Sequence, residues 1–376
     1  MKKRVLVYPC GTEIGLEIWE SLRYSKHFEP VGLNDIRCAW PGPTISNSNQ
    51  LADFDMVMEA HDHARIDIDV GVVVSHPIET KAICKSKKTT YCIFQEFAPK
   101  QIATFPAFIK PDRGSGSRGA MLCENMTQFE ANKQKYGDLV QMEILKGPEY
   151  TVDCFTDRHG KLIFEQARER KTTTNGISVH CVGAEFDLIG SALNERLKFR
   201  GAWFYQMKGG KLLEIGARIA GSSGYLRAHG VNLVEATLFD ALGVDVALPT
   251  VQQSGVETFR RLTTHLTGVE FHTVYIDYDD TLIVDGKPLP ELVGLLYKWH
   301  GEGKEVVIVS RNKHHNQPHF LRDVCSEVIH CPRPEPKSKH IKPGGIFIDD
   351  SFAEREEVRK NSGVPVFGLE ALNMLW

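Results

Sequence analysis

Residues 274–284 read Val-Tyr-Ile-Asp-Tyr-Asp-Asp-Thr-Leu-Ile-Val: three apolar residues running straight into a knot of carboxylates. A short apolar run of this kind is a buried strand, and in parallel sheets the chemistry collects at the carboxyl ends of the strands. Asp277 and Asp279, two residues apart just past the strand, can share one small site. One carboxylate can attack phosphorus while the other protonates the leaving oxygen and later activates water. Downstream, the strand-like run Glu305–Val309 ends in Ser310, and Gly345–Ile348 ends in Asp349-Asp350. Lys337 and Lys339 precede the latter, and either can neutralise a transferring phosphoryl group. Hard oxygen donors are what Mg²⁺ requires. An acidic run can also be a solvated turn, but four such features in order at strand ends argue for a site.

This order, DxDxT, then Ser, then Lys, then DD, resembles the haloacid-dehalogenase superfamily over about 270–376. The resemblance implies Asp277 as nucleophile and Asp279 as general acid/base. It implies Ser310 and Lys337, with Lys339 as rival, on the phosphoryl group. Mg²⁺ would be held by the acidic set Asp277, Asp279, Asp349 and Asp350. Only residues 282–309 separate Thr281 from Ser310, and Pro288–His300 among them has amphipathic helical spacing. That leaves no room for an inserted cap, so the expectation is a capless Rossmannoid phosphatase.

Working back toward the N-terminus, Arg4–Tyr8 is a buried strand followed by Pro9, Gly11, Gly15 and a helical apolar pattern at Ile14, Ile18 and Leu22. Phe28–Leu33 and Asp67–Val74 read as further strands, so an open parallel sheet is expected. From about 89 the pattern changes to strand pairs punctuated by glycine. The strands are Ala107–Lys110, Glu149–Thr156, Leu162–Glu165, Trp203–Lys208 and Lys211–Ile215, the last two joined by a tight turn at Gly209-Gly210. Lys110 is followed by the Gly/Ser loop 114–119, whose backbone N–H groups can close over phosphates. Glu143-Ile144-Leu145 and Glu149 follow, and Gln206 and Glu214 flank the two-glycine turn, so they can converge on one metal.

This constellation resembles the ATP-grasp superfamily, in particular its carboxylate–amine ligase and carbamoyl-phosphate-synthase-like branch, over about 1–250. The resemblance implies ATP and Mg²⁺ as cofactors. It puts Lys87 and Lys110 on the phosphates beneath Gly114, Ser115, Gly116 and Ser117. Glu143, Ile144 and Leu145 would hold adenine, Glu149 the ribose, and Glu214 with Gln206 the Mg²⁺. Arg218 and Arg170 would stabilise the transferring phosphoryl and an acyl phosphate. The sequence departs from the pattern at Gly216, where the Glu-x-Asn-x-Arg segment of that superfamily has its Asn ligand.

The α/β multidomain arrangement expected is a Rossmann-like subdomain at 1–88, an α+β ATP-grasp domain at 89–265, and the phosphatase domain at 270–376. The chain has 376 residues, 42% hydrophobic and 25% charged, with a net charge of −3, which gives no global pull toward nucleic acid or membrane. No run reaches the length needed to span a bilayer, and the apolar stretch after Met1 breaks at Pro9, so no targeting segment is expected. The nine scattered cysteines read as reduced thiols in a cytoplasm. His61-Asp62-His63 and His314-His315 are read as surface or turn histidines rather than metal clusters. The resulting function is bifunctional: a ligase joining a small-molecule carboxylate to an amine through an acyl phosphate, and a phosphatase acting on a related phosphorylated metabolite. A homodimer is expected, as is common among ATP-grasp relatives. Two alternatives stand beside it, a phosphatase with a regulatory nucleotide-binding region and a nucleotide-sensing scaffold. The loop segment Thr172–Cys181 is expected to shape the acceptor pocket.

Overall fold

The computed structural model describes all residues except 34–39, 46–52, 62–71, 115, 175, 252–255, 261–267, 314–317 and 376. Two compact units result, Met1–Arg261 and Leu262–Trp376.

The first unit opens with a parallel sheet of β1 (Lys3–Tyr8), β2 (Phe28–Leu33), β3 (Thr44–Ile45), β4 (Met56–Glu59) and β5 (Val72–Val74), in the order β3-β2-β1-β4-β5. Val5, Leu6 and Val7 of the central strand are fully buried, as a strand covered on both faces requires. Thr12 caps α1 (Glu13–Leu22), its hydroxyl accepting the Gly15 N–H at 3.0 Å. Asp67–Gly71 of the expected strand lie outside the described residues. Two short helices follow, α2 (Ile78–Lys85) and α3 (Lys87–Ile93), with Ser86 capping the second.

Next come β6 (Ala107–Pro111), β7 (Met121–Cys123), α4 (Met126–Tyr136) and β8 (Leu139–Met142), the strands forming a small antiparallel sheet with β6 in the middle. A six-stranded antiparallel sheet then uses β9 (Glu149–Thr156), β10 (Leu162–Thr174), β11 (Ile177–Gly183), β12 (Gly201–Lys208), β13 (Lys211–Gly216) and β14 (Glu257–Phe259). Helices α5 (Gly190–Arg196), α6 (Gly224–Arg227) and α7 (Leu233–Ala241) accompany it. Inside this sheet Arg168 is fully buried against Asp153, Nε to Oδ2 at 2.7 Å.

One expectation is corrected here. Leu162–Glu165 is not a short strand and Thr172–Cys181 is not a loop. β10 continues to Thr174 and pairs with β11 directly, Thr174 opposite Ile177. The run of threonines favours strand, and Asn175-Gly176 is the two-residue turn signal that closes such hairpins.

The second unit has a parallel sheet in the order β19-β18-β15-β20-β21. Its strands are β15 (Thr273–Ile276), β18 (Glu305–Ser310), β19 (Cys325–His330), β20 (Gly345–Ile348) and β21 (Val366–Phe367). The hairpin β16 (Ile283–Val284) and β17 (Lys287–Pro288) and the helix α8 (Pro290–Gly301) fill the stretch between Thr281 and Ser310. Helix α9 (Phe352–Ser362) follows β20. The period of two along β15 sends Val274 and Ile276 into one core with Leu295, Trp299 and Ile308, and Tyr275 into the other with Val309, Phe347 and Val358. No described helix is long and apolar enough to cross a membrane.

Candidate active sites

In the second unit the central strand β15 and its two neighbours, β18 and β20, end side by side. Parallel pairing in register, Ile276 opposite both Ile308 and Ile348, brings the residues after each strand to one edge. Asp277, Asp349 and Asp350 gather there with carboxylate oxygens all within 4.8 Å of one another. Lys337 is buried between the first two, its Nζ donating to Asp277 Oδ1 at 2.5 Å and to Asp349 Oδ2 at 2.7 Å. Burial pushes Asp277 up to about 6, opposed by Lys337 and reinforced by Asp349. Asp349 is raised for the same reason. Burial disfavours the Lys337 cation, but the two carboxylates outweigh it and hold its pKa above the ordinary value. Thr281 supports the rim, its hydroxyl donating to Asp350 Oδ1 at 3.0 Å and accepting the Asp350 N–H at 2.9 Å.

Asp279 differs from its sequence assignment as a metal ligand. Its carboxylate is outside the three-carboxylate group; Oδ2 accepts instead from Ser310 Oγ at 3.3 Å and from Asn312 Nδ2 at 2.9 Å. The two-residue offset that suggested a shared site turns Asp279 toward β18. Lys339 also drops out: it is largely exposed, 3.6 Å from Glu335. Three oxygen donors suit one Mg²⁺.

In the first unit a cavity of about 310 Å³ is lined by Lys87, Lys110, Glu149, Arg170, Gln206 and Glu214, with Gly114, Gly116 and Ser117 also on its wall. Ile144 and Leu145 face it beside Met142 and Leu213, which makes that end apolar. Ser115 lies outside the described residues. Lys110 Nζ donates to the Leu213 carbonyl at 2.9 Å. Burial draws its pKa down to about 8, with Glu214 and Glu149 opposing and Lys87 reinforcing. Lys87, at the start of α3, donates to the Gly114 carbonyl at 3.0 Å and so ties the glycine loop to the helix.

The β12–β13 register sets Gln206 opposite Glu214. Arg170, on β10, donates from Nη1 to Glu149 and to Gln206 Oε1, the latter at 3.1 Å, and from Nη2 to the Gly176 carbonyl at 2.6 Å. Gly176 sits against the loop: a Cβ there would meet the Gly116 carbonyl carbon at 2.5 Å. The β10–β11 hairpin tip thus closes on the 116–117 backbone. Glu143 is a correction: its carboxylate accepts the Lys100 N–H at 2.8 Å and does not line the cavity. Alternation along the chain after β8 sends Glu143 to the opposite side from Met142.

Arg218 lines an adjoining cavity of about 770 Å³ that shares Arg170, Gln206 and Glu214 with the first. Its guanidinium stacks over Phe204, 5.0 Å from the ring centroid. Arg118, Arg168 and Arg260 face the same space, as do Gly11 and Thr12 after β1 and the first residues of α1. Sequence reasoning gave no role to Arg168 or Arg260. Arg168 is two residues before Arg170 on β10, and strand periodicity places the two on one face only once the strand runs past Glu165.

The antiparallel sheet, its small companion sheet and the cleft between Lys110 and Glu214 define an ATP-grasp fold for the first unit. Residues 135–263, about a third of the chain, match the family model described as ATP-grasp in the biosynthetic pathway with Ter operon. Solved structures agree. The N5-carboxyaminoimidazole synthetase of Staphylococcus aureus complexed with ADP is 13% identical with a TM-score of 0.54, over 66% of this chain and 80% of that one. The biotin carboxylase domain dimer of the Hydrogenobacter thermophilus 2-oxoglutarate carboxylase, in complex with MgADP, ADP and bicarbonate, is 14% identical with a TM-score of 0.53, over 67% and 72%. Biotin carboxylase of Campylobacter jejuni in its β,γ-ATP complex is 13% identical with a TM-score of 0.51, over 66% and 72%. At such identities the likeness is one of fold. No curated protein matches the sequence.

Proposed function

We propose that the first unit is an ATP-dependent ligase of the carboxylate–amine type and the second a Mg²⁺-dependent phosphatase of the haloacid-dehalogenase type. The observation that carries the ligase reading is the convergence of Lys87, Lys110, Arg170 and Glu214 on one cleft that opens into an arginine-lined pocket. ADP in the Staphylococcus relative and MgADP with bicarbonate in the Hydrogenobacter relative are what those proteins bind. The same ligand classes are proposed here.

Lys87 and Lys110 bind the phosphates and Glu149 the ribose, while Ile144, Leu145 and Leu213 cover the base. A carboxylate oxygen of the acceptor attacks the γ-phosphorus as the bond to the ADP oxygen breaks. Arg218 and Arg170 hold the charge that builds on the phosphoryl oxygens. The amine nitrogen then attacks the acyl carbon, phosphate leaves, and the nitrogen loses a proton. Glu214 and Gln206 supply one carboxylate and one amide oxygen, a set that fits one Mg²⁺, which when bound would neutralise the triphosphate. ATP and Mg²⁺ are thus the proposed cofactors, and the partners are small molecules. The dimer of the Hydrogenobacter relative makes a homodimer the proposed assembly.

In the second unit Asp277 attacks the phosphorus of a phosphomonoester and Asp279 protonates the departing oxygen. Water, deprotonated by Asp279, then releases phosphate from Asp277. Lys337 and Ser310 hold the phosphoryl oxygens; Asp277, Asp349 and Asp350 form the set that fits Mg²⁺. The domain limits proposed are 1–88, 89–265 and 270–376. Amine- and carboxylate-dependent ADP release that persists in Asp277→Asn and vanishes in Lys110→Ala supports the ligase assignment. Hydrolysis of an aryl phosphate that needs Mg²⁺ and is lost in Asp277→Asn supports the phosphatase. ADP release unaffected by Lys110→Ala, or phosphate release unaffected by Asp277→Asn, overturns the respective half.

A second reading, nucleotide binding without turnover, is favoured by one observation. The place of the expected Asn ligand is filled by the Phe204 ring against Gly216. ATP binding by calorimetry without turnover across an acceptor screen would select it.

A further inference from the structure

The segment that delivers Lys337 to its carboxylates begins and ends with metal-binding side chains. Cys331 follows β19 directly, Glu335 comes four residues later and His340 five beyond that. One donor atom from each lies within 4.8 Å of the others. Cys331 is fully buried. His340 Nε2 is inaccessible and has no hydrogen-bond partner, with Glu335 Oε1 3.6 Å away, beyond hydrogen-bond distance. Bonds of about 2.0–2.3 Å in a tetrahedron put ligand atoms roughly 3.3–3.8 Å apart. The separation is therefore that of two ligands about a common centre.

From this geometry we infer a second metal site, for a borderline divalent cation of the Zn²⁺ class, made by Cys331, Glu335 and His340. A thiolate, an imidazole and a carboxylate are the donors zinc takes and Mg²⁺ does not. The neighbouring cations are compatible with a bound metal. Arg311 is neutralised by Glu354, Nε to Oε1 at 2.9 Å and Nη2 to Oε2 at 2.6 Å. Its remaining nitrogen, Nη1, donates to the Cys331 carbonyl at 3.1 Å and to the Glu335 carbonyl and lies 3.5 Å from Cys331 Sγ, whose thiol donates to the Glu335 carbonyl at 3.4 Å and would give up that weak bond on binding a metal. Lys339, 3.6 Å from Glu335 and largely exposed, is free to swing into solvent. Water completes the fourth position. The metal ties both ends of the 331–340 segment around buried Lys337, so the site positions that lysine and takes no part in phosphoryl chemistry.

The test uses the full chain and does not depend on either proposed activity. Protein purified and dialysed against a weak chelator is expected to retain about one zinc per chain by elemental analysis. Cobalt exchanged for zinc is expected to give a near-ultraviolet thiolate-to-cobalt charge-transfer band. The all-oxygen Asp277 centre cannot give that band. Cys331→Ser removes it, and His340→Gln weakens zinc retention against a chelator by more than about tenfold, as loss of a direct ligand should. Circular dichroism on both variants checks that they fold. Absence of zinc and of the charge-transfer band in the wild-type chain, or a band and zinc content unchanged in a folded Cys331→Ser, overturns the inference.

Discussion

The Phe204 ring on β12 covers Gly216 on β13 so closely that a Cβ at position 216 would lie 2.1 Å from the ring's Cε1. The two residues are cross-strand partners. Gly216 has no positive φ, so space alone, not backbone strain, excludes a side chain. Arg218 rests on the same ring, and the aromatic residue thereby offers a platform for a cation.

Restoring the expected ligand by Gly216→Asn is therefore predicted to destabilise the first unit by about 1–3 kcal/mol, the usual cost of overpacking. Adding Phe204→Ala is predicted to relieve the clash, giving a favourable coupling in a double-mutant cycle measured by urea denaturation. Strictly additive losses would show that the ring and the glycine are not in conflict.

Gly176 bears on nucleotide binding. With φ of +75° and the Gly116 carbonyl carbon 2.5 Å from a prospective Cβ, Gly176→Ala carries both a left-handed backbone cost of about 1–2 kcal/mol and a steric push on the loop. ATP affinity by calorimetry is predicted to fall severalfold or more while the second unit's aryl-phosphate hydrolysis stays unchanged. Wild-type affinity in this variant would mean the hairpin tip does not govern the loop.

Lys110 gives a pH dependence with a defined sign. Its pKa is drawn down to about 8 by burial, so above that pH the amine is largely neutral. Phosphate binding favours the cation. ATP affinity is therefore predicted to weaken as pH rises through about 8, and binding near that pH to take up a proton. Calorimetry in buffers of different ionisation enthalpy measures the uptake, and Lys110→Arg, charged throughout, should abolish it. By the same linkage the lowered pKa costs folding stability in full below about 8, and the cost fades as pH rises from there toward the ordinary lysine value, where the unfolded chain binds the proton better.

Lys337 and Lys339 separate cleanly in the structure. Lys337→Met leaves Asp277 and Asp349 buried without their shared cation. Without Mg²⁺ this is predicted to destabilise the second unit by roughly 3–5 kcal/mol. Hydrolysis is predicted to fall by about 10²-fold or more. Added Mg²⁺ should recover part of the stability by supplying positive charge at the same carboxylates. Lys339→Ala should change neither property measurably, since its ion pair with Glu335 is at the surface. Equal losses from the two substitutions in a denaturation and rate comparison would contradict this assignment.

The sequence alone determined what depends on neighbours along the chain: the apolar strand ending at Asp277, the glycine loop after Lys110, the Gly209-Gly210 hairpin, and the presence of separate α/β and α+β regions. These follow from periodicity and turn chemistry within a few residues. The Asn-Gly pair at 175–176 is also present in the chain, but reading Thr172–Cys181 as a loop passes over it. Only the tertiary structure decided which of two lysines two residues apart enters the carboxylate cluster, that Glu143 serves the Lys100 backbone, and that Asp279 turns to Ser310 and Asn312. It likewise decided that Phe204 closes the space at Gly216 and that Cys331 meets His340. Each of these is a choice of side-chain direction or of a partner on another element. Strand register and packing fix such choices, and a chain read in one dimension does not contain them locally.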